Sequence, residues 1–458
     1  MTVLLLLSCA EPVDTAAPGP ELLDDALLVR RLSLDLRGTW PTRDELQMSP
    51  DDAQEVFLAD PRFEDRVVVL LAERWHTLVD TYNGDWYDFG LQREQEYAFQ
   101  RSVGEEPLRL AAHIAAHDLP WSELTTADYT LADPMLETIW PLERDAGEGW
   151  QKARYTDGRP PAGVLATNGL WWRYPTSLFN DNRQRVAAIS RVLLCQDYLA
   201  RPVSFEGVPS LLDDGGTDLA IREEPACVTC HSSIEPVAAA LFGFWPVDEY
   251  SALEASIYHP EREALGEEQL GVEMAWFGQP IDGLQGLGVA VSQDPRLTSC
   301  AAQTFTEALL RVEGTDFEPH RQAFVESGLR VKDLVRSITD SDAYRSAERR
   351  LVPLDAYGTA VEELTGYRWV EDGFDQLRND EVGVRVLGGG VDGRELLVAQ
   401  RGPSLTWTEV TRRVAAGAAD GVQDPDLDAL SWRVLGHEAP EGVPGLEALL
   451  RDIDAVTY

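Results

Sequence analysis

The chain has 458 residues, of which 44% are hydrophobic and 26% are charged, so it is long enough for about two or three folded domains. Its 79 acidic residues against 39 basic ones give a formal net charge of -40, which repels nucleic-acid phosphates and anionic membranes. The composition therefore argues against nucleic-acid binding and favours a basic partner, unless the acidity only maintains solubility.

The N-terminal segment MTVLLLLSCAEPVDTAAPGPE begins with a short apolar run at residues 3–7, which ends in Leu-Leu-Ser-Cys. The run is too short to span a bilayer and has the form of the end of a secretory signal. A small residue before Cys9 is typical of a bacterial lipoprotein cleavage site, where the cysteine becomes lipidated. We therefore predict a signal, lipobox and tether at residues 1–20. The protein is expected to be exported and anchored by this lipid alone, in the periplasm or at the outer membrane or cell surface.

The next two regions are predicted to be helical. Residues 21–150 repeat leucines at three- and four-residue spacing, as in ELLDDALLVRRLSLDL, which is the pattern of helices with one buried face. A loop rich in Gly and Pro marks a boundary near residues 150–163. Residues 163–312 then contain a helix at 182–198, a loop rich in Gly and Asp at 212–220, and a closing helix in SCAAQTFTEALLRV.

The third region, residues 313–458, is predicted to begin with two helices hinged at Gly328. Apolar residues alternate in VGVRVL and RELLVAQ, which predicts a small strand pair, and two final helices close the chain. The fold class is therefore mainly α, in several helical domains with a small β element near the C-terminus.

The stretch EPACVTCHSSIEPV, in the second region, contains Cys227, Cys230 and His231 in the pattern Cys-x-x-Cys-His. Covalent haem attachment requires this arrangement, because two thiols add across the vinyl groups and the imidazole ligates the iron. A zinc site needs two more ligands at matching spacing, and no second cysteine pair lies nearby. A thioredoxin-like pair needs a βαβ unit, whereas an acidic, proline-bearing loop is predicted before this motif. We therefore predict one covalently attached haem c.

The sixth position of the iron is less well defined by the sequence. Met274, in GVEMAWFG, lies downstream of His231 in the same region, as a methionine ligand often does. Met135, His259, His113 and His117 are alternatives. An open position is a further alternative, and it permits ligand or peroxide chemistry.

Two other patterns are interpreted as structural. His113 and His117 have the i, i+4 spacing that metals use, but Ile114 replaces the glutamate of the zinc-protease pattern, so both are taken as ordinary helix residues. GGGVDG, at residues 388–393, fits the glycine pattern of nucleotide sites, but no βαβ unit surrounds it, and it predicts a tight turn. Cys195 and Cys300 form either a disulfide or two buried free thiols.

Several stretches resemble a family of exported bacterial c-type haem (cytochrome c-like) proteins built from consecutive domains of unknown function. The stretches that carry the resemblance are RRLSLDLRGTWPTRDEL, LPWSELTTADYTL, AGVLATNGLWWRYPTSLFNDNRQRVAAISRVLLCQ, the motif at 225–236, and SGLRVKDLVRSITDSDAYR. They cover nearly the whole chain after the tether, in the family's order.

The resemblance implies that Cys227 and Cys230 are thioether donors, that His231 is the iron ligand, and that Cys195 pairs with Cys300. It also implies export, but it implies no substrate. The family's Met-Asp is replaced here by Ile-Glu at residues 234–235, and its run after Pro236 is replaced by VAAALFGFWP, so the family methionine is unable to serve the iron in this chain.

We therefore expect a periplasmic or cell-surface lipoprotein whose single haem takes part in one-electron transfer with a redox partner protein. One alternative is a haem-dependent, peroxidase-like oxidoreductase with an open iron site. Another is a surface scaffold protein in which the haem is incidental or absent.

Overall fold

The computed structural model describes residues 20–198, 200, 216–246, 251–438 and 444–457. The predicted lipidation site Cys9 and nearly all of the predicted signal and tether lie outside these residues. The described chain is mainly α, as the sequence predicts. None of the described helices has both the length and the hydropathy needed to cross a membrane.

Helices follow one another along the whole described chain. Up to residue 200 they are α1 Asp25–Arg37, α2 Pro50–Ala59, α3 Arg62–Trp75, α4 Glu96–Ala116, α5 Pro134–Ile139, α6 Asn168–Arg173 and α7 Arg183–Leu194. From residue 216 to 345 they are α8 Gly216–Glu223, α9 Pro225–Ala239, α10 Ala252–Ala255, α11 Leu265–Leu270, α12 Gly283–Ser292, α13 Pro295–Leu310, α14 Glu318–Glu326, α15 Val331–Thr339 and α16 Asp342–Arg345.

The C-terminal part adds five helices and the chain also contains several single 3-10 turns. The helices are α17 Leu354–Thr365, α18 Leu405–Gly421, α19 Leu427–Leu435, α20 Leu446–Arg451 and α21 Ile453–Val456. The 3-10 turns are Glu45–Gln47, Trp86–Phe89, Arg93–Gln95, Trp121–Thr125, Gly163–Ala166, Phe242–Phe244 and Pro260–Arg262.

A small antiparallel sheet interrupts the first region, where the sequence predicts helices throughout. Its strands are β1 Thr130–Ala132, β2 Leu142–Arg144 and β3 Gln151–Tyr155, in the order β1-β3-β2. The prediction was wrong here because these strands have only three to five residues, too few to establish a period of two in the sequence. A second strand pair joins β4 Ala275–Trp276 to β5 Gln279–Pro280.

The small β element near the C-terminus exists, but not at the predicted stretches. It is the hairpin of β6 Val370–Glu371 and β7 Phe374–Asp375, joined by Asp372 and Gly373, which both have positive φ. A two-residue Asp-Gly loop with this backbone is the favoured hairpin turn. RELLVAQ instead begins as a turn, in which Asp392 Oδ1 accepts hydrogen bonds from the backbone N–H groups of residues 394–396.

Buried apolar side chains form three clusters. The main core runs from Leu28 to Tyr344, and a C-terminal core combines Leu34 and Trp40 with residues between 351 and 456. A third cluster lies around the three-stranded sheet. Helix α1 contributes to both the main and the C-terminal cores, so the first and third predicted regions share apolar packing. The predicted domain boundaries themselves stay a prediction.

Polar residues of the RRLSLDL stretch attach α1 to a distant segment. The Arg31 guanidinium is fully buried and donates to the carbonyl oxygens of Tyr344, Ser346 and Glu348, at 2.5, 2.8 and 2.9 Å. The Tyr344 hydroxyl donates to Asp35 at 2.9 Å. Since a buried cation is stable only when hydrogen-bonded, Arg31 fixes where the chain after α16 crosses α1.

A disulfide joins the helices on either side of the Cys-x-x-Cys-His motif. Cys195 ends α7 in the left-handed conformation, Cys300 lies in α13, and their sulfur atoms are 2.07 Å apart. The two cysteines are separated by 105 residues. Helix α9, which contains the motif, lies within the loop that they close and packs against α7.

Replacing both cysteines, as Cys195→Ala with Cys300→Ala, is expected to lower the free energy of unfolding by about 2–5 kcal/mol, because the bond closes a long loop. Urea unfolding followed by tryptophan fluorescence measures the change. The matched control is Cys227→Ala with Cys230→Ala, whose thiols are free in the structure, and all variants are compared as protein produced without haem. Equal stability of the wild type and the first variant would contradict the prediction.

Candidate functional site

The Cys-x-x-Cys-His motif lies in the first two turns of α9. Glu224 is the N-cap residue and Pro225 occupies the first helical position, where its fixed φ suits a helix and its missing N–H costs nothing. Residues 216–223 form α8, so the predicted loop was wrong over residues 216–220, and residues 212–215 lie outside the described residues.

Helical geometry places the three predicted haem-binding residues on one face. Successive residues of an α-helix are about 100° apart, so Cys227, Cys230 and His231 lie within an arc of about 100°. Residues three or four apart have Cβ atoms about 5–6 Å from each other. Both thiols are free and partly exposed, so both are accessible to an electrophile from the same side of the helix.

One turn further along α9, a carboxylate orients the imidazole. His231 Nδ1 lies 2.6 Å from Glu235 Oε1, and the imidazole is about a quarter exposed. When Nδ1 donates its proton to a carboxylate, the lone pair of Nε2 remains available for a metal. This arrangement is typical of metal-ligating histidines, whose second ring nitrogen is usually bonded in this way.

Glu235 is itself fixed by an arginine from α7. Arg183 Nε lies 2.8 Å from Glu235 Oε1, and its Nη2 lies 3.0 Å from Oε2, which is a bidentate pair. Burial opposes ionisation of Glu235, but the hydrogen bonds from His231 and Arg183 outweigh it and hold the pKa of this carboxyl below its usual value. Arg183, Glu235 and His231 therefore form a connected chain of hydrogen bonds, here called the α7–α9 relay.

A cavity of about 270 Å³ lies beside the relay. Its lining combines charged and apolar side chains from the start of α7, from α8 and α9, and from the end of α11: Asp181, Arg183, Ile221, Arg222, Val228, His231, Ser232, Glu235, Pro236, Gln269, Leu270 and Val272. His231 faces this space, whereas Cys227 and Cys230 are not among the lining residues. Cys230 instead packs against the main core.

Met274, the predicted sixth ligand, directly precedes β4, a strand that packs against α9. Its backbone N–H donates to Glu267 Oε1 at 2.9 Å, and its side chain is partly buried against the main core. Val272, two residues earlier, lines the cavity beside His231, but Met274 does not. The assignment of Met274 to the iron stays a prediction.

The alternative ligands are distributed over other elements. Met135 lies in α5 beside the third apolar cluster, and the His259 imidazole pairs with Glu261 at 3.0 Å. His113 and His117 lie at the end of α4, with ring centroids 4.0 Å apart. Burial, with repulsion from His117 and then Lys152, lowers the pKa of His113 to about 4, so its imidazole is neutral at neutral pH.

Comparison with protein-family models, with curated proteins and with solved structures gives no match. The site therefore has to be judged on its own donor atoms. Two free thiols with two residues between them, followed by an imidazole whose Nδ1 is already bonded, fit the donor set of a covalently attached haem. The cavity volume is slightly below the volume of about 300 Å³ at which pockets for sizeable ligands begin. A whole haem macrocycle would therefore extend beyond this cavity.

Sequence reasoning noticed Glu235 only as a departure from the family's pattern and missed its role. The i, i+4 spacing of His231 and Glu235 on one helix was the available signal. Arg183 had no such signal, because it lies 52 residues from Glu235.

Replacing Glu235 by glutamine is expected to lower the free energy of unfolding at pH 7 by about 1–3 kcal/mol, since the charged hydrogen bonds to Arg183 and His231 are weakened. The lowered pKa of Glu235 means that its stabilising contribution is complete above its unfolded value of 4.5 and is lost as the pH falls below that value. The difference between the two proteins should therefore shrink in acid.

Chemical unfolding of the wild type and of Glu235→Gln, at a series of pH values between neutral and acid, measures this difference. Glu268→Gln is the matched control, because Glu268 is exposed. A difference that stays constant down to the most acid sample would show that Glu235 does not titrate with a lowered pKa.

Proposed function

We propose that the chain binds one haem c covalently through Cys227 and Cys230, with His231 as an axial ligand of the iron, and that it acts in one-electron transfer outside the cytoplasm. The single observation that carries the proposal is the arrangement of α9. This helix presents two free thiols and a neighbouring imidazole on one face, with Glu235 bonded to the imidazole nitrogen that a metal does not need.

Each residue of the site has one task. Cys227 and Cys230 add their S–H groups across two vinyl groups, which forms two thioether bonds and consumes no other reactant. His231 ligates through Nε2, and Glu235 holds the ring orientation and raises the basicity of the ligand. Bound haem supplies a one-electron iron couple. Arg183 keeps Glu235 ionised, so that the carboxylate remains an acceptor for Nδ1.

The proposed location rests on different observations. The disulfide between Cys195 and Cys300 is typical of proteins that fold in an oxidising compartment. The resemblance to exported c-type haem proteins and the lipobox before Cys9 support export with a lipid anchor. The net charge of -40 favours a basic redox partner protein and disfavours nucleic acid.

A haem-dependent oxidoreductase with an open iron position is the second candidate. The observation that favours it is that Met274 does not line the cavity beside His231. Bonding to a carboxylate also increases electron donation by the imidazole, which suits peroxide chemistry at an open site. The scaffold alternative is disfavoured by the free state of Cys227 and Cys230, since these thiols remain available for attachment.

The test is an absorption spectrum, oxidised and reduced, of full-length protein produced together with cytochrome c maturation machinery. We expect a covalent haem that stays with the denatured polypeptide. The double variant Cys227→Ser with Cys230→Ser should lose it, because it removes both thioethers. The double variant Cys195→Ala with Cys300→Ala is the matched control and should keep it, because neither residue belongs to the attachment motif.

Met274→Ala separates the two haem functions. Loss of a sulfur-to-iron band in this variant would establish a six-coordinate electron carrier, whereas a high-spin spectrum unchanged by the substitution would favour the oxidoreductase. Absence of covalent haem from the wild type would refute both.

A further inference from the structure

Two histidines and one glutamate meet at the surface where the end of α4 passes the beginning of α3. His113 and His117 lie one turn apart at the C-terminal end of α4, and Glu64 lies in the first turn of α3. Each offers one ligand atom, and these three atoms all lie within 4.8 Å of one another. No role in the proposed haem site uses this cluster, here called the α3–α4 cluster.

We infer that Glu64, His113 and His117 form a binding site for a divalent transition-metal ion, of which Zn²⁺ fits the donor set best. Two imidazoles and one carboxylate are the ligands that zinc takes in sites with three protein donors and one open position. Harder cations such as Mg²⁺ and Ca²⁺ prefer oxygen donors alone, so they fit less well.

The distances require only a small adjustment. Ligand atoms of a tetrahedral zinc ion, with bonds of about 2.0–2.2 Å, lie about 3.5 Å apart. The three possible ligand atoms lie within 4.8 Å of one another, and the two imidazole centroids are 4.0 Å apart. His117 is exposed and Glu64 is partly exposed, so both side chains have room to close the remaining gap of about 1 Å.

The backbone under the cluster is rigid. The cluster joins two helices that pack against each other, through the buried Val67, Leu71 and Leu108 among others. His117 Nδ1 also lies 3.0 Å from the carbonyl oxygen of His113, which orients its ring. A site on two packed helices changes little in shape between the empty and the loaded state, so binding costs little ordering of the chain.

Nearby cations are occupied by other groups. Arg109 is bonded to Asp65 at 2.5 Å and to Glu105 at 2.9 Å. The ammonium group of Lys152 lies 4.1 Å from the centre of the Tyr129 ring. In addition, the net charge of -40 raises the local concentration of divalent cations around the whole protein.

The bound metal ion would have three protein ligands, and water would occupy its fourth coordination position. Such an ion joins the start of α3 to the end of α4, and it stabilises the folded state by an amount that grows with the logarithm of its concentration above its dissociation constant. The site differs from a zinc-protease motif, because Ile114 replaces the motif's glutamate. This inference does not depend on haem.

The experiment is a calorimetric titration of Zn²⁺ into chelator-treated, full-length protein that contains Cys227→Ser and Cys230→Ser. These two substitutions remove the two free thiols of the described chain, which would otherwise compete for zinc. His113→Ala, His117→Ala and Glu64→Gln are tested in the same background. His437→Ala is the matched control, because His437 is an exposed histidine away from the cluster.

We expect one Zn²⁺ per chain, with binding weakened by more than about tenfold in His113→Ala and His117→Ala, since loss of even an indirect partner of a metal costs that much. X-ray absorption spectra recorded at the zinc edge should show nitrogen and oxygen neighbours of the zinc ion and no sulfur neighbour at about 2.3 Å. His437→Ala should bind as the parent does. His117 is exposed, so His117→Ala should fold even if His113→Ala does not.

Unchanged affinity in His117→Ala would overturn the inference. The inference would also be overturned if the protein with intact cysteines bound zinc through sulfur and the Cys227→Ser, Cys230→Ser protein bound no zinc. Neither result bears on haem attachment, which is read from a separate spectrum.

Discussion

The carboxylate of Glu235 is the constraint on which the site depends. Its side chain is only 9% exposed, and a carboxylate at this depth stays ionised only if charged or hydrogen-bonding partners surround it. Arg183 supplies the charge from α7, and His231 supplies a second hydrogen bond from α9. The same pairing that stabilises the anion therefore fixes the imidazole and the relative positions of the two helices. The disulfide at the far end of α7 then anchors this helix to α13, so the relay is supported at both ends.

The sequence predicts the helical character of this fold well, because apolar residues at three- and four-residue spacing report directly on a buried helix face. It fails where structure depends on very short or nonlocal pairing. Strands of three to five residues give no usable period, and β1 pairs with β3 only because the chain turns back between them. Near the C-terminus the alternation of VGVRVL was misleading, whereas the Asp-Gly dipeptide at residues 372–373 was the better hairpin signal.

The same division between local and distant partners governs the two sites. Cys227, Cys230, His231 and Glu235 follow one another on one helix, so the spacing alone places them together. Arg183 is invisible to such reasoning, because only tertiary packing brings α7 against α9. The α3–α4 cluster is a similar case. The i, i+4 histidines have a spacing that metals use but were taken as ordinary helix residues, because the third donor, Glu64, belongs to a helix whose approach no local pattern predicts.

The stretches that resemble c-type haem proteins are of two kinds: some make structural contacts, and one contains donor groups for a cofactor. In the RRLSLDL stretch, Arg31 binds three backbone carbonyls and Asp35 accepts from the Tyr344 hydroxyl. These are structural contacts that connect α1 to the chain after α16, and they involve no exposed donor for a cofactor. The case for haem therefore rests on α9 alone, where two free thiols and an oriented imidazole lie close together.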